Sequence, residues 1–309
     1  MRTHPALDRS TAAGVRLGLE NVRRLLAAIG DPQRDLQVVH VAGTNGKGSV
    51  CAMIDSVLTA QGLKVGRFTS PHLQRVNERI RVGGVEIPDE DLDPLLTEVE
   101  AAARAWGEDL PGGGSPLTYF ELMTVAAILY FSRLSLDFCV VEVGLGGRLD
   151  ATNVLRPRVC AVTSISLDHT ACLGHDVSAI AFEKAGIIKP EVPVLVGRLP
   201  RAASSVVRSV AMDRRAPARF LGEAFDVEGQ TEDFAWLGRQ SLEGLRVSLP
   251  GQHQVDNAAV ALAVVEELTL QGLDIDERAV RAGLATVRHA GRLEWLAEDL
   301  LLDGAHNPA

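Results

Sequence analysis

Short runs of almost continuously apolar residues recur along the chain, and they constrain its fold more than any other feature. A strand buried on both faces of a parallel sheet has this pattern, whereas a strand with one wet face alternates apolar and polar residues. The runs cover residues 36–42, 64–70, 136–144, 158–166 and 192–197. Helical patterns separate or follow them at residues 47–60, 120–134, 254–267 and 276–288. The alternation predicts an α/β fold with a doubly wound, mostly parallel sheet, whose ligand site lies at the carboxyl ends of its strands.

The first of these strands leads into a glycine-rich turn around a single lysine, VHVAGTNGKGSV at residues 39–50. A strand, a glycine-rich turn, a lysine and a helix in succession direct backbone N–H groups at a phosphate. The spacing departs from the common phosphate loop, because Val41 stands at the position of its first glycine and Gly48 follows Lys47 in place of Ser or Thr. Spacing alone favours a nucleotide site but leaves open a plain turn between a strand and a helix.

The composition narrows the class of partner. With 31 basic and 40 acidic residues the net charge is −9, which argues against nucleic acid as the main partner. No apolar run reaches the roughly 18 residues that a membrane span requires, and the N-terminal stretch MRTHPALDRSTAAG lacks the apolar core of a secretory signal. The four cysteines include no CxxC pair, which is typical of reduced thiols in a cytoplasmic protein.

Glu142 lies near the end of an almost wholly apolar strand, where an unpaired carboxylate costs free energy. Two interpretations stay open from the residues alone: an ion-paired structural glutamate, or a ligand of a hard cation such as Mg²⁺. A zinc site is disfavoured nearby. His169, Cys172 and His175 stand at three-residue intervals, but no second pair of Cys or His ligands accompanies them in the sequence.

Two further segments give weaker signals. Lys184 lies in a short helical pattern, 178–190, that ends at Pro190, and its position alone predicts an ordinary solvated surface lysine. The stretch GLGGRLD at 144–150 is a weak match to a dinucleotide fingerprint, because it follows a late strand and lacks the required spacing.

Several longer strings together resemble one known family. The loop AGTNGKGS is similar to the nucleotide loop of the Mur ligase superfamily, and glycine after the lysine is typical of its folate branch, the folylpolyglutamate synthases and dihydrofolate synthases. The resemblance extends from about Leu17 to the end of the chain. The other matching strings, in the family's order, are TSPHL (69–73), ERIRV (78–82), LTYFEL (117–122), EVGLGGRLDATN (142–153), SISLDHTACLG (164–174), EKAGIIK (183–189), HQVDNAAVA (253–261), GRLE (291–294) and DGAHNP (303–308).

The resemblance implies roles for individual residues at the matching positions. ATP is expected to bind Thr44, Asn45, Gly46, Lys47, Gly48, Ser49, Asn257, Arg292 and Asp303. Two Mg²⁺ sites are expected, with ligands from Ser70, Glu142, His169 and Lys184. The expected catalytic residues are Lys47, His169 and a carbamylated Lys184, whose modification requires a neutral amine and therefore a lowered pKa. The pterin pocket is expected at Val15, Arg16, Leu17, Thr118, Tyr119, Phe120, Glu121, Leu149, Asp150 and Ala151.

By the same resemblance the chain is an ATP-dependent amide-forming ligase. In the family, the γ-phosphoryl group of ATP is transferred to a carboxylate, and the amine of L-glutamate attacks the resulting acyl phosphate. The expected partners are dihydropteroate or a folate, L-glutamate and ATP, without nucleic acid or membrane, and the protein is expected to be a cytoplasmic monomer. A peptidoglycan-precursor ligase of the same superfamily is the less favoured alternative, because Gly48 and the stretch TYFE (118–121) match the folate branch.

After GRLEWL the sequence adds one more apolar strand, at 299–303, and the DGAHNP motif. A lone strand cannot bury its own faces, which favours the first strand of a Rossmann-like C-terminal domain that is otherwise missing. The predicted division is an ATP-binding Mur-ligase-type central domain over residues 1–290, then a linker and the first strand of a truncated glutamate ligase domain over 291–309. The alternative hypothesis is a non-catalytic ATP-binding remnant, because closure over ATP depends on the second domain in the family.

Overall fold

The computed structural model describes residues 4–11, 14, 16–105, 117–297 and 299–304. Within these ranges the helices are α1 (Pro5–Thr11), α2 (Glu20–Ala28), α3 (Lys47–Ala60), α4 (Asp89–Arg104), α5 (Tyr119–Arg133), α6 (Thr170–Leu173), α7 (Val177–Ala185), α8 (Arg201–Asp213), α9 (His253–Leu270) and α10 (Glu277–Thr286). The strands are β1 (Val38–Ala42), β2 (Val65–Phe68), β3 (Ile80–Val82), β4 (Val85–Glu86), β5 (Phe138–Glu142), β6 (Val159–Val162), β7 (Val194–Val196), β8 (Ala218–Phe220), β9 (Asp226–Gln230), β10 (Asp233–Leu237), β11 (Ser241–Leu245), β12 (Glu294–Ala297) and β13 (Leu300–Leu302). Two short 3₁₀ segments cover Val76–Arg79 and Ala151–Val154.

In the described part of the chain, the main sheet has eight strands in the order β4-β3-β2-β5-β1-β6-β7-β8. Strands β2, β5, β1, β6, β7 and β8 run parallel, and β3 and β4 add an antiparallel edge. The chain builds outward from β1 first to one side and later to the other, so β1 lies where the strand order reverses. Ligands of doubly wound sheets bind in the crevice at this point, outside the carboxyl ends of the strands. The glycine-rich turn that follows β1 therefore lies where the fold provides a site.

Strand β1 is buried along its whole length because helices cover both of its faces. Val39 and Val41 pack with α3, α9 and α10 on one face, while Val38 packs with α2, α4 and α5 on the other. Helices α7 and α8 cover one face of the sheet near β6, β7 and β8. Successive side chains of a strand point to opposite faces, so two covered faces require an unbroken apolar run.

A small antiparallel sheet of β9, β10 and β11 packs beside α9. Phe234, Trp236 and Leu245 of this sheet join the same core as α3, α9 and α10. The sequence did not predict it, because its strands are short and half exposed. Helices α1, α2, α4 and α8 were not predicted either.

The predicted doubly wound α/β fold is confirmed, and one helix was predicted to the residue. Helix α3 runs from Lys47 to Ala60, and Gly62 takes the positive φ of 91° that ends a helix. The predicted strands are all present but shorter at their ends; for example, the run at 36–42 forms a strand only over Val38–Ala42. The strand predicted at 299–303 is present at Leu300–Leu302, but the prediction of a lone strand was wrong, since β13 pairs with β12 in a two-stranded sheet.

Among the described residues, none of the helices combines the length and the apolar character that crossing a membrane would take.

Candidate active site

The turn after β1 requires glycine at two positions. Gly43 and Gly46 have φ angles of 156° and 82°, and Gly46 caps the N-terminus of α3. A Cβ on Gly43 would lie 1.9 Å from Oγ1 of Thr163, and a Cβ on Gly46 would lie 2.2 Å from Oδ1 of Asn257. A side chain at either position would displace the turn. The first N–H groups of α3 have no partner within the helix, so the turn delivers unpaired donors to the crevice.

The segment after β6 fixes this turn from the side. The N–H of Thr44 donates to the carbonyl of Ser164 (2.7 Å), and the N–H of Asn45 donates to the Ser164 hydroxyl (3.0 Å). The carbonyl of Asn45 accepts from the hydroxyls of Thr163 (2.5 Å) and Ser164 (3.0 Å). The N–H of Ser166 donates to Oγ1 of Thr44 (3.1 Å). These bonds hold the turn in one conformation before any ligand binds, which lowers the entropy lost on binding.

Lys47 is the first residue of α3, and its Nζ donates to the carbonyl of Thr44 at 3.0 Å. The ammonium group therefore lies back over the turn that precedes it. A lysine beside a row of backbone N–H groups is the arrangement that binds the phosphates of a nucleotide. The departures of this loop from the common spacing leave this arrangement of lysine and backbone N–H groups in place.

The turn after β1, residues 43–48, is called the phosphate loop from here on. On one side it borders a first cavity of about 410 Å³, which lies between this loop, the end of β6 and the start of α9. In this wall Nδ2 of Asn257 donates to Oε1 of Gln254 at 2.9 Å, which fixes the amide beside the loop. Thr44 and Lys47 line the neighbouring cavity instead. The other residues predicted to bind ATP all line the first cavity: Asn45, Gly46, Gly48, Ser49, Asn257, Arg292 and Asp303.

A second cavity of about 470 Å³ lies on the other side of the loop. Phe120 forms an apolar wall: its ring lies 5.8 Å from that of Phe68, and a Cβ on Gly144 would lie 2.4 Å from it. An apolar wall with a few polar groups at fixed positions is typical of a small-molecule pocket. The residues predicted for the pterin pocket that line this cavity are Arg16, Leu17, Thr118, Phe120, Glu121, Leu149, Asp150 and Ala151.

One of the predicted pterin residues, Tyr119, lies outside this cavity. The Tyr119 ring lies beneath the guanidinium group of Arg79, 5.2 Å from it, and lines a separate cavity beside α1. Val15 lies outside the described residues. Thr118 and Glu121 have a structural task as well, since the Thr118 N–H donates to the Glu121 carboxylate (2.7 Å) and the Glu121 N–H donates to Oγ1 of Thr118 (3.2 Å). This capping box positions the start of α5, and with it Phe120.

Asp150 is buried and organises the loop after β5. Its Oδ1 accepts from the N–H (3.0 Å) and the hydroxyl (2.5 Å) of Thr152, and its Oδ2 accepts from the N–H of Leu145 (2.8 Å). Burial raises the pKa of Asp150, and these hydrogen bonds oppose the rise. Behind it, Nε2 of His40 lies 2.8 Å from the Thr152 hydroxyl. The hydroxyl already donates to the carboxylate, so it accepts from His40, whose proton is therefore on Nε2.

Glu142 ends β5, where the sheet register pairs it with Val41 of β1. Its Oε2 accepts from the backbone N–H of Ser70 at 2.9 Å. Burial raises the pKa of the Glu142 carboxyl, while the charge of Lys47, the Ser70 N–H and the guanidinium groups of Arg292 and Arg79 favour the ionised form. Among the described residues a backbone N–H, rather than a paired cationic side chain, holds the carboxylate. That favours the metal interpretation over the ion-paired one.

The residues present fit a Mg²⁺ ion that binds together with a nucleotide. Among the described residues no three Asp, Glu, His or Cys side chains converge to hold a metal by themselves. Ser70 and Glu142 offer a hydroxyl and a carboxylate at the wall of the second cavity, next to the phosphate loop. Mg²⁺ is commonly bound by one or two carboxylates, water and substrate phosphates, so this small set of protein ligands is what such a site needs.

Lys184 is buried, with 5% of its surface exposed, and is not the solvated lysine that its position alone predicted. Helix α7 packs against the glycine-rich turn after β5, where a Cβ on Gly147 would lie 3.0 Å from the Lys184 carbonyl. The Nζ of Lys184 donates to the carbonyl of Gly43 at 2.8 Å. Burial, and then the charge of Lys47, lower the pKa of Lys184 to about 7, although Asp168 and Asp150 oppose the change. The neutral amine is therefore well populated near pH 7.

His169 has a left-handed backbone with φ of 47° and caps the short helix α6. Its side chain is about half exposed, and its Nε2 lies 3.8 Å from the carboxylate of Asp168. Both residues line the second cavity. The structure thus places His169 at the same cavity as Ser70 and Glu142.

Residues without a predicted role also contribute to the site. Arg79 lines the second cavity, and its Nε donates to Nδ1 of His72 at 2.8 Å. It belongs to the matching string ERIRV (78–82), but the sequence assigned it no role. His289 lies against Gly48, because a Cβ there would be 2.6 Å from its Nε2. Burial, with the charges of Arg67, Arg292 and Arg81, lowers the pKa of His289 to about 3. Nothing in the local sequence marks His289, since only the tertiary fold brings it to the loop.

Comparison with known proteins decides the family. The Mur ligase middle domain matches residues 41–265. Over 304 residues the chain is 40% identical to the dihydrofolate synthase/folylpolyglutamate synthase of Bacillus subtilis, a match that covers 95% of this chain and 70% of the relative. The chain belongs to the dihydrofolate synthase/folylpolyglutamate synthase family.

Solved structures of this family have the same fold. The folylpolyglutamate synthase of Thermotoga maritima aligns with a TM-score of 0.88 and 36% identity, covering 98% of this chain and 70% of that one. Escherichia coli FolC in complex with DHPP and ADP aligns with a TM-score of 0.86 and 39% identity, with the same coverage. The chain thus spans about 70% of the length of these relatives. The family, the Mur-ligase-type fold and the ligase class predicted from the motifs are confirmed.

Proposed function

We propose that this chain carries the ATP and pterin sites of a ligase that adds L-glutamate to dihydropteroate, to the γ-glutamyl chain of a folate, or to both. The names of the relatives support this substrate class, and the Escherichia coli relative binds DHPP and ADP. The position of the phosphate loop between two cavities carries the proposal. Asn45, Gly46, Gly48 and Arg292 line both cavities. A γ-phosphate on the loop would therefore face the carboxylate of a substrate in the second cavity.

The proposed reaction has two steps. A carboxylate oxygen of the pterin substrate attacks the γ-phosphorus of ATP, the bond to the bridging oxygen breaks, and ADP leaves with that electron pair. The α-amine of L-glutamate then attacks the acyl carbon, expels phosphate and loses a proton to give the amide. Both reactants of the first step are anions, so the protein contributes mainly positioning and positive charge.

The chain's own residues supply that charge on both sides of the loop. Lys47 and the N–H groups at the start of α3 would hold the phosphates, and Arg292 extends between the two cavities. Arg79 adds a second guanidinium group in the wall of the second cavity, where the pterin would bind. Ser70 and Glu142 would hold Mg²⁺, which when bound neutralises phosphate charge. The buried position of Glu142 strengthens these interactions, because the local dielectric is low.

We also propose that Lys184 is carbamylated and, with His169, contributes ligands to a second Mg²⁺ site. In this modification the neutral amine attacks CO₂, a C–N bond forms and one proton is released. The burial of Lys184 and its pKa of about 7 support the proposal, because they make the reactive form available. Supplying ¹³CO₂ should give a carbamate ¹³C NMR signal that is absent from Lys184→Met. A wild-type protein without the signal contradicts the modification.

The predicted division at residue 291 stays a proposal. The β12–β13 sheet is separate from the main sheet, and its three leucines, 300–302, are 40–53% exposed, which supports a boundary there. A cytoplasmic location is proposed from the free, buried thiols of Cys51, Cys139 and Cys160. A monomer is proposed from the family resemblance alone.

A phosphate-release assay tests the proposed function. The chain is incubated with MgATP, L-glutamate and either dihydropteroate or tetrahydrofolate. Glutamate-dependent release with a pterin substrate, absent from Lys47→Ala, supports the assignment. Release only with a UDP-muramyl substrate would place the chain among peptidoglycan-precursor ligases. Binding of ATP without release under any condition would support the non-catalytic alternative.

A further inference from the structure

The segment between α10 and β12 lies against the phosphate loop. The point at which a Cβ on Gly48 would stand is 2.6 Å from Nε2 of His289 and 3.7 Å from Oε2 of Glu142. The common phosphate loop has Ser or Thr directly after its lysine, so that side chain would begin at this point. In this chain the imidazole of His289 occupies the space. Glycine at position 48 and histidine at position 289 are therefore sterically complementary.

The same segment is fixed at a second place. A Cβ on Gly291 would lie 2.9 Å from Cδ1 of Leu73, in the loop that follows β2. The N–H of Gly291 donates to the Glu294 carboxylate, and its carbonyl accepts from the N–H of Gly304, both at 2.8 Å. The segment 288–294 is thus held between the phosphate loop, the loop after β2 and the β12–β13 sheet.

Arg292 lies in the middle of this segment. Arg292 lines the first cavity, where ATP is proposed to bind, and the second cavity, where the pterin is proposed to bind. It also lines an outer groove of about 860 Å³, and His289 lines that groove as well. The position of Arg292 between the two cavities therefore depends on the position of the backbone of this segment. His289, whose imidazole lies against Gly48 of the phosphate loop, is three residues before Arg292.

We propose that His289 is a positioning residue whose imidazole, seated on Gly48, latches the segment 288–294 to the phosphate loop and holds Arg292 between the two cavities. The identity of the ligands in the two cavities rests on the proposed function, whereas the latch itself rests on the contact between His289 and Gly48. Ordering of the loop by a nucleotide then also orders the segment that carries Arg292. The latch further explains why position 48 is glycine, since any Cβ there meets the imidazole.

A double-mutant cycle with two readouts tests the latch. The single variants are Gly48→Ala, His289→Ala and, as an exposed histidine control, His175→Ala, and Gly48→Ala is also combined with each histidine variant. Hydrogen exchange of residues 288–294 is measured without nucleotide, and the Kd for ADP is measured by calorimetry. Circular dichroism confirms that each variant is folded. His289→Gln, which keeps a side chain long enough to reach Gly48, serves as the conservative variant.

The expected pattern is a rescue. Gly48→Ala should weaken ADP binding about tenfold, because the methyl group displaces the loop or the imidazole. In the His289→Ala background the same change should have no effect, whereas it should still weaken binding in His289→Gln and His175→Ala. Exchange in 288–294 should rise about tenfold in His289→Ala, since the segment loses its contact. His289→Gln and His175→Ala should retain wild-type exchange.

The latch is wrong if Gly48→Ala weakens ADP binding by the same factor with and without the imidazole, because the methyl group would then act on the nucleotide directly. It is also wrong if His289→Ala leaves the exchange of 288–294 unchanged. Failure of the wild-type chain to bind ADP would instead contradict the proposed function, and the exchange measurement would still decide the latch.

Discussion

Oε2 of Glu142 accepts a hydrogen bond of 2.9 Å from the backbone nitrogen of Ser70, across the ends of β5 and β2. The two residues are 72 positions apart in the chain, but Ser70 follows β2 and Glu142 ends the neighbouring strand β5, which is next to β1, the strand that leads into the phosphate loop. The sheet order thus brings a carboxylate and a hydroxyl to one edge beside Lys47. This relationship makes the proposed Mg²⁺ site a consequence of topology rather than of a local motif.

Replacing Glu142 by Gln should separate the metal role from the structural one. The amide oxygen can still accept from Ser70, but the negative charge that attracts Mg²⁺ is lost. We expect activity to fall about 100-fold or more, with a weaker response to added Mg²⁺. Because burial raises the pKa of Glu142, the free energy of unfolding at pH 7 should not fall. Mg²⁺ titrations of activity and urea unfolding measure the two effects, and an unchanged Mg²⁺ response would contradict the assignment.

Lys184 should make stability depend on pH. Its pKa is about 7 in the folded protein and roughly 10.4 in an unfolded chain, so between these values the unfolded chain binds more protons. Stability should therefore rise as the pH increases from 7 towards 10. Lys184→Met removes the free-energy cost of burying a lysine whose pKa falls on folding. The variant should therefore increase the free energy of unfolding by a few kcal/mol at pH 7, at about 1.4 kcal/mol per pKa unit. The gain should shrink towards pH 10, while turnover is lost.

Urea unfolding in CO₂-free buffer at pH 7 and pH 9.5 checks this prediction. Lys64→Met is the matched control, because Lys64 is exposed and only its ammonium tip binds the Leu134 carbonyl. A gain at pH 7 that is equal for both variants would show that burial of Lys184 is not the cause.

Thr152 should affect recognition of the pterin substrate without contacting it. Thr152→Val removes both the donor to Asp150 and the acceptor for His40, while Thr152→Ser keeps them. We expect the valine variant to raise the KM for the pterin about tenfold and to leave the KM for ATP unchanged. It should also lose about 1–3 kcal/mol of stability, because buried polar groups lose their partners. Kinetics with each substrate varied in turn decide the matter, and equal defects in valine and serine variants would exclude the hydrogen bonds as the cause.

The buried pair of Asp55 and Arg67 should stabilise the contact between α3 and β2. Their side chains are 5% and 9% exposed, and NH1 of Arg67 lies 3.1 Å from Oδ2 of Asp55. Arg67→Met leaves a buried carboxylate uncompensated and should cost about 3–5 kcal/mol of unfolding free energy. The exposed pair of Arg133 and Glu98 is the control, since Arg133→Met should cost less than about 1 kcal/mol. Equal losses in the two variants would contradict the distinction.

The fold was predictable where local patterns and burial agree. The apolar runs predicted the parallel strands β1, β2, β5, β6 and β7 but not β8, and helix α3 ended where Gly62 required. Most of the residues that the family resemblance assigned to ATP and the pterin line one or both of the two cavities, and their roles stay predictions. The small sheet of β9 to β11 was missed because its strands bury only part of one face, and β12 was missed as the partner of β13.

The remaining features of the site depend on tertiary packing. Tyr119 follows Thr118 in the matching motif, but the helix turns it away from the pocket and under Arg79. Lys184 has the local pattern of a surface lysine, but tertiary contacts bury it: α7 packs against the turn after β5, and Nζ of Lys184 donates to the carbonyl of Gly43. His289 contacts Gly48 although the two residues are 241 positions apart in the sequence, and no local signal encodes this contact.

The acyl phosphate step is tested most directly by an oxygen-transfer measurement. Dihydropteroate or tetrahydrofolate labelled with ¹⁸O in its carboxylate is incubated with the chain, MgATP and L-glutamate, and the released phosphate is analysed by mass spectrometry. Attack of the carboxylate on the γ-phosphorus predicts that one carboxylate ¹⁸O appears in each phosphate released. Release of phosphate without ¹⁸O, alongside formation of the glutamyl product, would contradict carboxylate activation at the phosphate loop.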